Sequence, residues 1–354
     1  MPDTHDTRAV HRAATDRPAR VVLFGRKPFP NQFSIERVFE GVRARLAGRF
    51  DVEVVTSSYP SKGLVNRLRA AWEARAHEGD VTHVTGDVHY VGLLLDRKRT
   101  VLTVHDTELL DRASWLKRLI YTWLWLRLPV WRAAVVTVPS EATRDDLLRV
   151  VRCRPRKVRV IPNPLSDAFH ADLRRFAVDR PTVLMIGTAP NKNLERAIAA
   201  LADVPCRVVI IGALEDAHRR ALSAAGIDYT NLVDLDGEAV VRCYRDCDLL
   251  LFVPTKEGFG LPILEAQATG RPVITSDRPP LREVAGTGAC LVDCHDVAAI
   301  RAGVRRVIDD AGYRDALVAA GFRNTERFDP DQVADHYANV YDELISRRAG
   351  PRAR

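Results

Sequence analysis

Glu257-Gly258-Phe259-Gly260-Leu261-Pro262-Ile263-Leu264-Glu265 is the most informative stretch of this 354-residue chain. A strand-like run, Leu249 to Pro254, feeds it, and a helix begins near Gly260–Pro262. Pro262 suits the first helical turn, where a missing N–H is no loss. The N–H groups of Phe259, Gly260 and Leu261 find no partner inside such a helix. Together with the positive end of its dipole they form an anion site, most often for phosphate. Glu257 stands on the loop and Glu265 about one turn into the helix, so two carboxylates flank that site. Carboxylates repel a phosphate unless they hold something else, and sugar or ribose hydroxyls are suitable guests. The competing reading is a strand–turn–helix packed for stability, its two glutamates merely solvated.

Outward from this stretch, short β-rich runs alternate with helical patterns. Strands are predicted at Arg20–Phe24, Asp51–Thr56, Val81–Val84, Thr100–Val104, Ala134–Val138 and Lys157–Ile161. Helices are predicted at Ser34–Ala47, Leu64–Ala76, Ser114–Arg132 and from the cap Ser140 to about Val151. Strand and helix at this spacing mean a parallel, doubly wound α/β sheet. Pro162-Asn163-Pro164 breaks the pattern, and the alternation restarts at Thr182–Ile186. The expected organisation is a polar lead-in (1–18), a first Rossmann-like domain (19–163), a linker (164–180), a second such domain (181–329), and a final helix and tail (330–354). Two facing domains of this kind leave a crevice at the carboxyl ends of their strands, where polar residues become candidates for a site.

Composition fits two cores. The chain is 46% hydrophobic and 28% charged, with a net charge of +7. No apolar run reaches the roughly 20 residues of a membrane span, and Met1–Pro18 has no apolar core of the kind a signal peptide carries. Residues 1–163 carry 29 Lys and Arg against 18 Asp and Glu; residues 164–354 carry 24 against 28. A basic first half suits an anionic acceptor or surface. Nucleic acid is disfavoured, because no aromatic–basic recognition motif accompanies the charge. The six cysteines read as buried free thiols of a reducing cytoplasm, since neither Cys243/Cys247 nor Cys290/Cys294 has the usual zinc-knuckle form. No Gly-x-Gly-x-x-Gly follows the first strand, which argues against a nicotinamide enzyme.

The Glu257-x7-Glu265 pattern resembles the signature of retaining nucleotide-sugar glycosyltransferases of family 4, the group 1 family with the GT-B fold. Gly187-Thr188-Ala189-Pro190-Asn191-Lys192-Asn193-Leu194 resembles that family's donor-diphosphate loop. Leu249–Pro254, Gly270-Arg271-Pro272-Val273-Ile274 and Pro280–Gly286 resemble its neighbouring elements. The likeness covers most of residues 180–345 and is looser over 20–160.

The resemblance implies a donor domain second and an acceptor domain first, with the last helix crossing back to the first. It implies a hexosyltransferase, mannose being the first expectation, that uses a nucleotide-diphosphate sugar and a glycan or lipid-linked acceptor. Glu265 would hold ribose hydroxyls and Glu257 the transferred sugar. Lys192 would neutralise the diphosphate, with Gly187, Thr188, Gly258, Phe259, Gly260 and Leu261 around it. His105 matches a histidine near the sugar ring. The family commonly has an arginine near Thr188, and this chain does not.

On the acceptor side the candidates are Arg26, Lys27 and Asn31 after the first strand, Gly86, Asp87 and His89 after the third, and Asp106 beside His105. Asp234-Leu235-Asp236 and Asp246-Cys247-Asp248 resemble metal-holding strings of another glycosyltransferase class. The second runs into a buried strand, so no metal and no other cofactor is expected. Trp115–Arg132 mixes tryptophans with cations, which suits either a membrane interface or a core helix with snorkelling arginines. The expected location is the cytoplasm, with the inner face of the cell membrane as a contact. A non-hydrolysing sugar-nucleotide epimerase on the same fold and a non-catalytic sugar-nucleotide-binding partner are the alternatives.

Overall fold

The computed structural model describes residues 17–27, 34–107 and 115–349. Among these residues, twelve strands form two parallel six-stranded sheets. In the first half they are β1 (Arg20–Gly25), β2 (Asp51–Thr56), β3 (Val81–Val84), β4 (Thr100–Thr103), β5 (Val135–Val138) and β6 (Val158–Val160). Between them run α1 (Ser34–Leu46), α2 (Leu64–Ala76), α3 (Trp115–Ile120), α4 (Leu128–Arg132) and α5 (Glu141–Val150). The second half has β7 (Thr182–Ile186), β8 (Arg207–Ile211), β9 (Asp228–Leu232), β10 (Leu249–Phe252), β11 (Val273–Ser276) and β12 (Ala289–Val292). Its helices are α6 (Leu194–Leu201), α7 (Asp216–Ala224), α8 (Gly237–Asp246), α9 (Leu261–Thr269), α10 (Leu281–Ala285), α11 (Val297–Asp309) and α12 (Ala311–Thr325), followed by α13 (Pro330–Ala349).

Central strands such as Val135–Val138 and Leu249–Phe252 are buried at every position, as they must be when helices cover both faces. The strand orders are 2-1-3-4-5-6 and 12-11-10-7-8-9. In each sheet the winding reverses at one place, between β1 and β3 in the first and between β7 and β10 in the second. Crevices open at the carboxyl ends of strands beside such reversals. Gly25-Arg26 and Thr85-Gly86-Asp87 therefore flank one crevice, and Gly187 and Val253 the other.

The final helix leaves the second sheet and completes the core of the first. Val333, Tyr337, Tyr341 and Leu344 pack with Val21, Leu23, Phe39 and Val42. Buried His83 ties it down, one ring nitrogen 2.7 Å from the Tyr341 hydroxyl and the other 2.7 Å from Thr103 Oγ1. Arg159 and Glu343 pair at 2.5 Å at its outer edge.

The predicted single helix over Ser114–Arg132 is instead interrupted. A π-helical stretch, Tyr121–Arg127, separates α3 from α4. Pro129 has no N–H to give to the carbonyl of Trp125 one turn back. His89 supplies the missing bond, its Nδ1 donating to that carbonyl at 3.1 Å. A widened turn where the hydrogen-bond ladder is broken follows from this. The helix is also two-faced: Trp125, Leu126 and Val130 are in the core, while Trp115, Leu119, Trp123, Leu124 and Trp131 are exposed.

Candidate active site

Strand β7 is followed by Gly187, whose φ of +86° lies in the left-handed region. A Cβ there would stand 2.9 Å from Lys192 Cγ and Cε, so the missing side chain makes room for the lysine stem to fold back. The ammonium lies 5.2 Å from the centre of the Phe252 ring and is paired with the Glu257 carboxylate. Two bonds clip this loop to the one after β10: Thr255 N–H donates to the Asn191 carbonyl (2.8 Å), and Asn191 Nδ2 donates to the Lys256 carbonyl (3.1 Å). Asn193, itself left-handed at φ +62°, donates from Nδ2 to the Val253 and Cys294 carbonyls (3.0 and 2.7 Å). Thr188 is half-buried against Gly212.

Gly260 starts α9 at φ +107°, where a Cβ would strike Leu281 Cδ2 at 2.7 Å. Among the described residues, the amides of Phe259, Gly260 and Leu261 donate to no protein acceptor. The Phe259 ring turns inward against Phe328, leaving its backbone at the crevice. One turn on, Glu265 accepts a 2.5 Å hydrogen bond from the hydroxyl of fully buried Tyr244. Burial first, and then the Glu265 charge, push that phenol well above its usual range, so it stays protonated as the donor.

Across the crevice, His105 follows β4 and is 7% exposed. Its Nε2 donates to the Thr85 carbonyl at 2.7 Å. Glycine at 258 allows the donor loop to lie against this strand end: a Cβ would be 3.0 Å from the His105 carbonyl and 3.1 Å from Asp106 Cβ. Arg26 is largely covered and pairs with Asp87 at 3.5 Å, and Gly86 lets the Arg26 backbone approach. Lys27 is exposed, and Asn31 lies outside the described residues.

The structure thus gathers Gly187, Lys192, Glu257–Leu261 and Glu265 at the ends of β7 and β10, with His105 and Asp106 opposite. His89 lies close enough to Asp87, His105 and Asp106 to feel their charges. It is buried, holds the Trp125 carbonyl, and has no partner for Nε2 among the described residues. Both Asp-x-Asp strings have structural work. Asp236 caps α8 through the Ala239 amide at 2.7 Å, and Asp248 accepts from the Thr182 and Ala177 amides at 2.7 and 3.2 Å.

Three contributors escaped the sequence reading. Tyr244 sits in an apolar helical stripe that signals only a core. Thr143 is hidden inside a helix-capping pattern, and its hydroxyl donates to the Gly258 carbonyl at 3.2 Å. Glu283 reaches across from α10, its carboxylate accepting the Glu141 and Ala142 amides at 3.1 and 3.4 Å.

Two facing doubly wound units of parallel strands define the GT-B architecture. Residues 7–169 match the model described as Glycosyltransferase Family 4, and residues 170–323 match Glycosyl transferases group 1. The chain belongs to this glycosyltransferase family. It is 23% identical over 312 residues to the O-antigen chain mannosyltransferase B of Escherichia coli, covering 79% of each chain. It is 36% identical over 231 residues to the D-inositol 3-phosphate glycosyltransferase of Thermobispora bispora, covering 57% of this chain and 54% of that one. The chain spans about half the length of that relative. Among solved structures it resembles Anabaena HepE in complex with UDP and glucose, with a TM-score of 0.76, 17% identity and coverage of 92% and 100%. The sucrose-phosphate synthase of Thermosynechococcus elongatus superposes with a TM-score of 0.72 and 18% identity, covering 93% and 99%.

Proposed function

We propose that the protein is a retaining hexosyltransferase, carrying mannose in the first instance, from a nucleotide-diphosphate sugar to a glycan or lipid-linked acceptor. The observation that carries this reading is the helix mouth. Three unpaired amides, Lys192 and two carboxylates converge where a diphosphate with a polyol on each side would fit. The relative named as a mannosyltransferase is the support for the sugar.

In this reading Lys192 and the Phe259–Leu261 amides take the charge that grows on the leaving diphosphate as the anomeric C–O bond breaks. Glu265, aimed by Tyr244, holds ribose hydroxyls, and Glu257 leaves Lys192 to accept from the sugar. The site has no enzymic nucleophile assigned to it, so the acceptor hydroxyl attacks from the face the diphosphate leaves. Its proton passes to the departing phosphate oxygen, and configuration is retained. His105 Nδ1 accepts from a sugar hydroxyl. The positive charge comes from lysine and amides, so the reaction needs no metal.

We place the enzyme in the cytoplasm, seated on the membrane by its first half. No helix among the described residues is long and apolar enough to cross a membrane. Exposed Trp115, Trp123 and Trp131 beside Lys117, Arg118 and Arg127 support contact with an anionic lipid surface.

A thermal-shift screen of GDP-, UDP- and ADP-sugars tests the donor site, because a ligand bound only by the folded chain raises its melting point. Stabilisation by one nucleotide class, followed by acceptor-dependent release of the diphosphate, is expected. Isomerisation of the sugar nucleotide without an acceptor would identify an epimerase instead. Binding without any turnover would identify a non-catalytic partner.

A further inference from the structure

We infer that Thr143, a residue of the first half, is a positioning residue for the donor site in the second. The inference rests on the donor-site reading above. Thr143 is 5% exposed, and its hydroxyl donates to the carbonyl of Gly258 at 3.2 Å. That carbonyl belongs to the same planar peptide unit as the Phe259 N–H. In a trans peptide the two point in opposite directions. Holding the carbonyl toward the first half therefore aims the Phe259 amide the other way, into the helix mouth where the diphosphate is placed.

Thr143 is itself held. Ser140, fully buried, accepts the Thr143 backbone N–H at 3.1 Å, and the two hydroxyls are 3.0 Å apart. Since the Thr143 proton is given to Gly258, the Ser140 proton goes to Thr143. The result is a directed chain from Ser140 to Thr143 to the Gly258 carbonyl, in which each bond polarises the next.

One further contact bears on the same peptide, and another on the helix that carries Thr143. Gly258 lies against the His105 carbonyl and Asp106 Cβ, at would-be Cβ distances of 3.0 and 3.1 Å. Glu283 ties the start of α5, on which Thr143 sits, to the second half. Gly258 without a side chain has wide backbone freedom. Left alone it would not keep its peptide in one orientation, and the first half supplies the restraint. The amide that meets the donor is thus oriented by the domain that receives the acceptor.

The test is calorimetric titration of the full chain with the nucleoside diphosphate and its sugar nucleotide, comparing wild type, Thr143→Val and Thr143→Ser. Valine keeps the shape and removes the hydroxyl. We expect Thr143→Val to raise both dissociation constants roughly five- to tenfold and Thr143→Ser to stay within about twofold of wild type. Equal affinity of wild type and Thr143→Val overturns the inference. So does a Thr143→Ser loss as large as that of valine, which would make the methyl the important group. If wild type binds neither ligand, the donor-site reading fails instead. Should Thr143→Val fail to fold, Thr143→Cys is compared with Thr143→Ser on the same scale, its thiol being a poorer donor.

Discussion

Gly258 meets the carbonyl oxygen of His105 so closely that a Cβ at 258 would stand 3.0 Å from it. The neighbour is backbone and cannot turn aside. Gly258→Ala should therefore push the donor loop off the strand end, lowering turnover about tenfold or more while the chain still melts cooperatively. Steady-state rates and a melting curve decide the matter, and undiminished turnover would mean the close contact has no catalytic consequence.

Lys192 is expected to be the principal cation for the diphosphate, Thr188 standing where the family commonly has arginine. Lys192→Ala should weaken sugar-nucleotide binding by roughly 1.5–3 kcal/mol, the scale of a hydrogen bond to a charged group. Calorimetry measures this directly. An unchanged affinity would move the diphosphate elsewhere.

Tyr244 and Glu265 form a 2.5 Å pair that separates positioning from contact. Glu265→Ala should impair use of every nucleotide sugar. Tyr244→Phe keeps the buried ring and loses only the bond, so the donor KM should rise about three- to tenfold with kcat nearly kept. A drop in kcat with KM unchanged would contradict the ribose role.

His83 makes the first half acid-sensitive. Burial, and then the neighbouring His105, push its pKa from 6.5 to about 3. Below pH 6.5 the unfolded chain takes up a proton that the folded ring refuses. Stability from this group is whole above about 6.5 and falls as the pH drops toward 3, at up to ~1.4 kcal/mol per pH unit. Urea titrations at pH 7.5, 6 and 5 should show a steeper loss for wild type than for His83→Gln. Parallel losses would show that the proton goes elsewhere.

Trp115 is 79% exposed. Trp115→Asp combined with Trp123→Asp should reduce sedimentation with vesicles containing anionic lipid at least several-fold, without shifting the melting point. Equal sedimentation of the double variant would leave the exposed tryptophans without a lipid partner.

The sheets were legible because parallel strands buried on both faces leave β-branched and leucine runs, as at Val135–Val138 and Leu249–Phe252. Gly187, Lys192 and the Gly258–Pro262 turn were legible for a different reason: glycine and proline at a strand end announce a backbone shape. Contacts made by ordinary residues at a distance were not. Thr143 and Gly258 are 115 positions apart, and Tyr244 looks like any core aromatic. The break at Tyr121–Arg127 was readable in part, since Pro129 removes a donor. Its remedy, a histidine 36 residues upstream, was not. That same bond fixes the ring of His89, which the sequence offered as an acceptor-side candidate.

The crossing helix sets an order of events in synthesis. Val333, Tyr337, Tyr341 and Leu344 supply one wall of the core around Val21, Leu23 and Phe39. A ribosome releases residues 20–160 long before those four emerge, so the earlier half waits with that wall uncovered. The later half, whose own core draws on residues 183–317, can close first. In this chain the part made first is the part finished last.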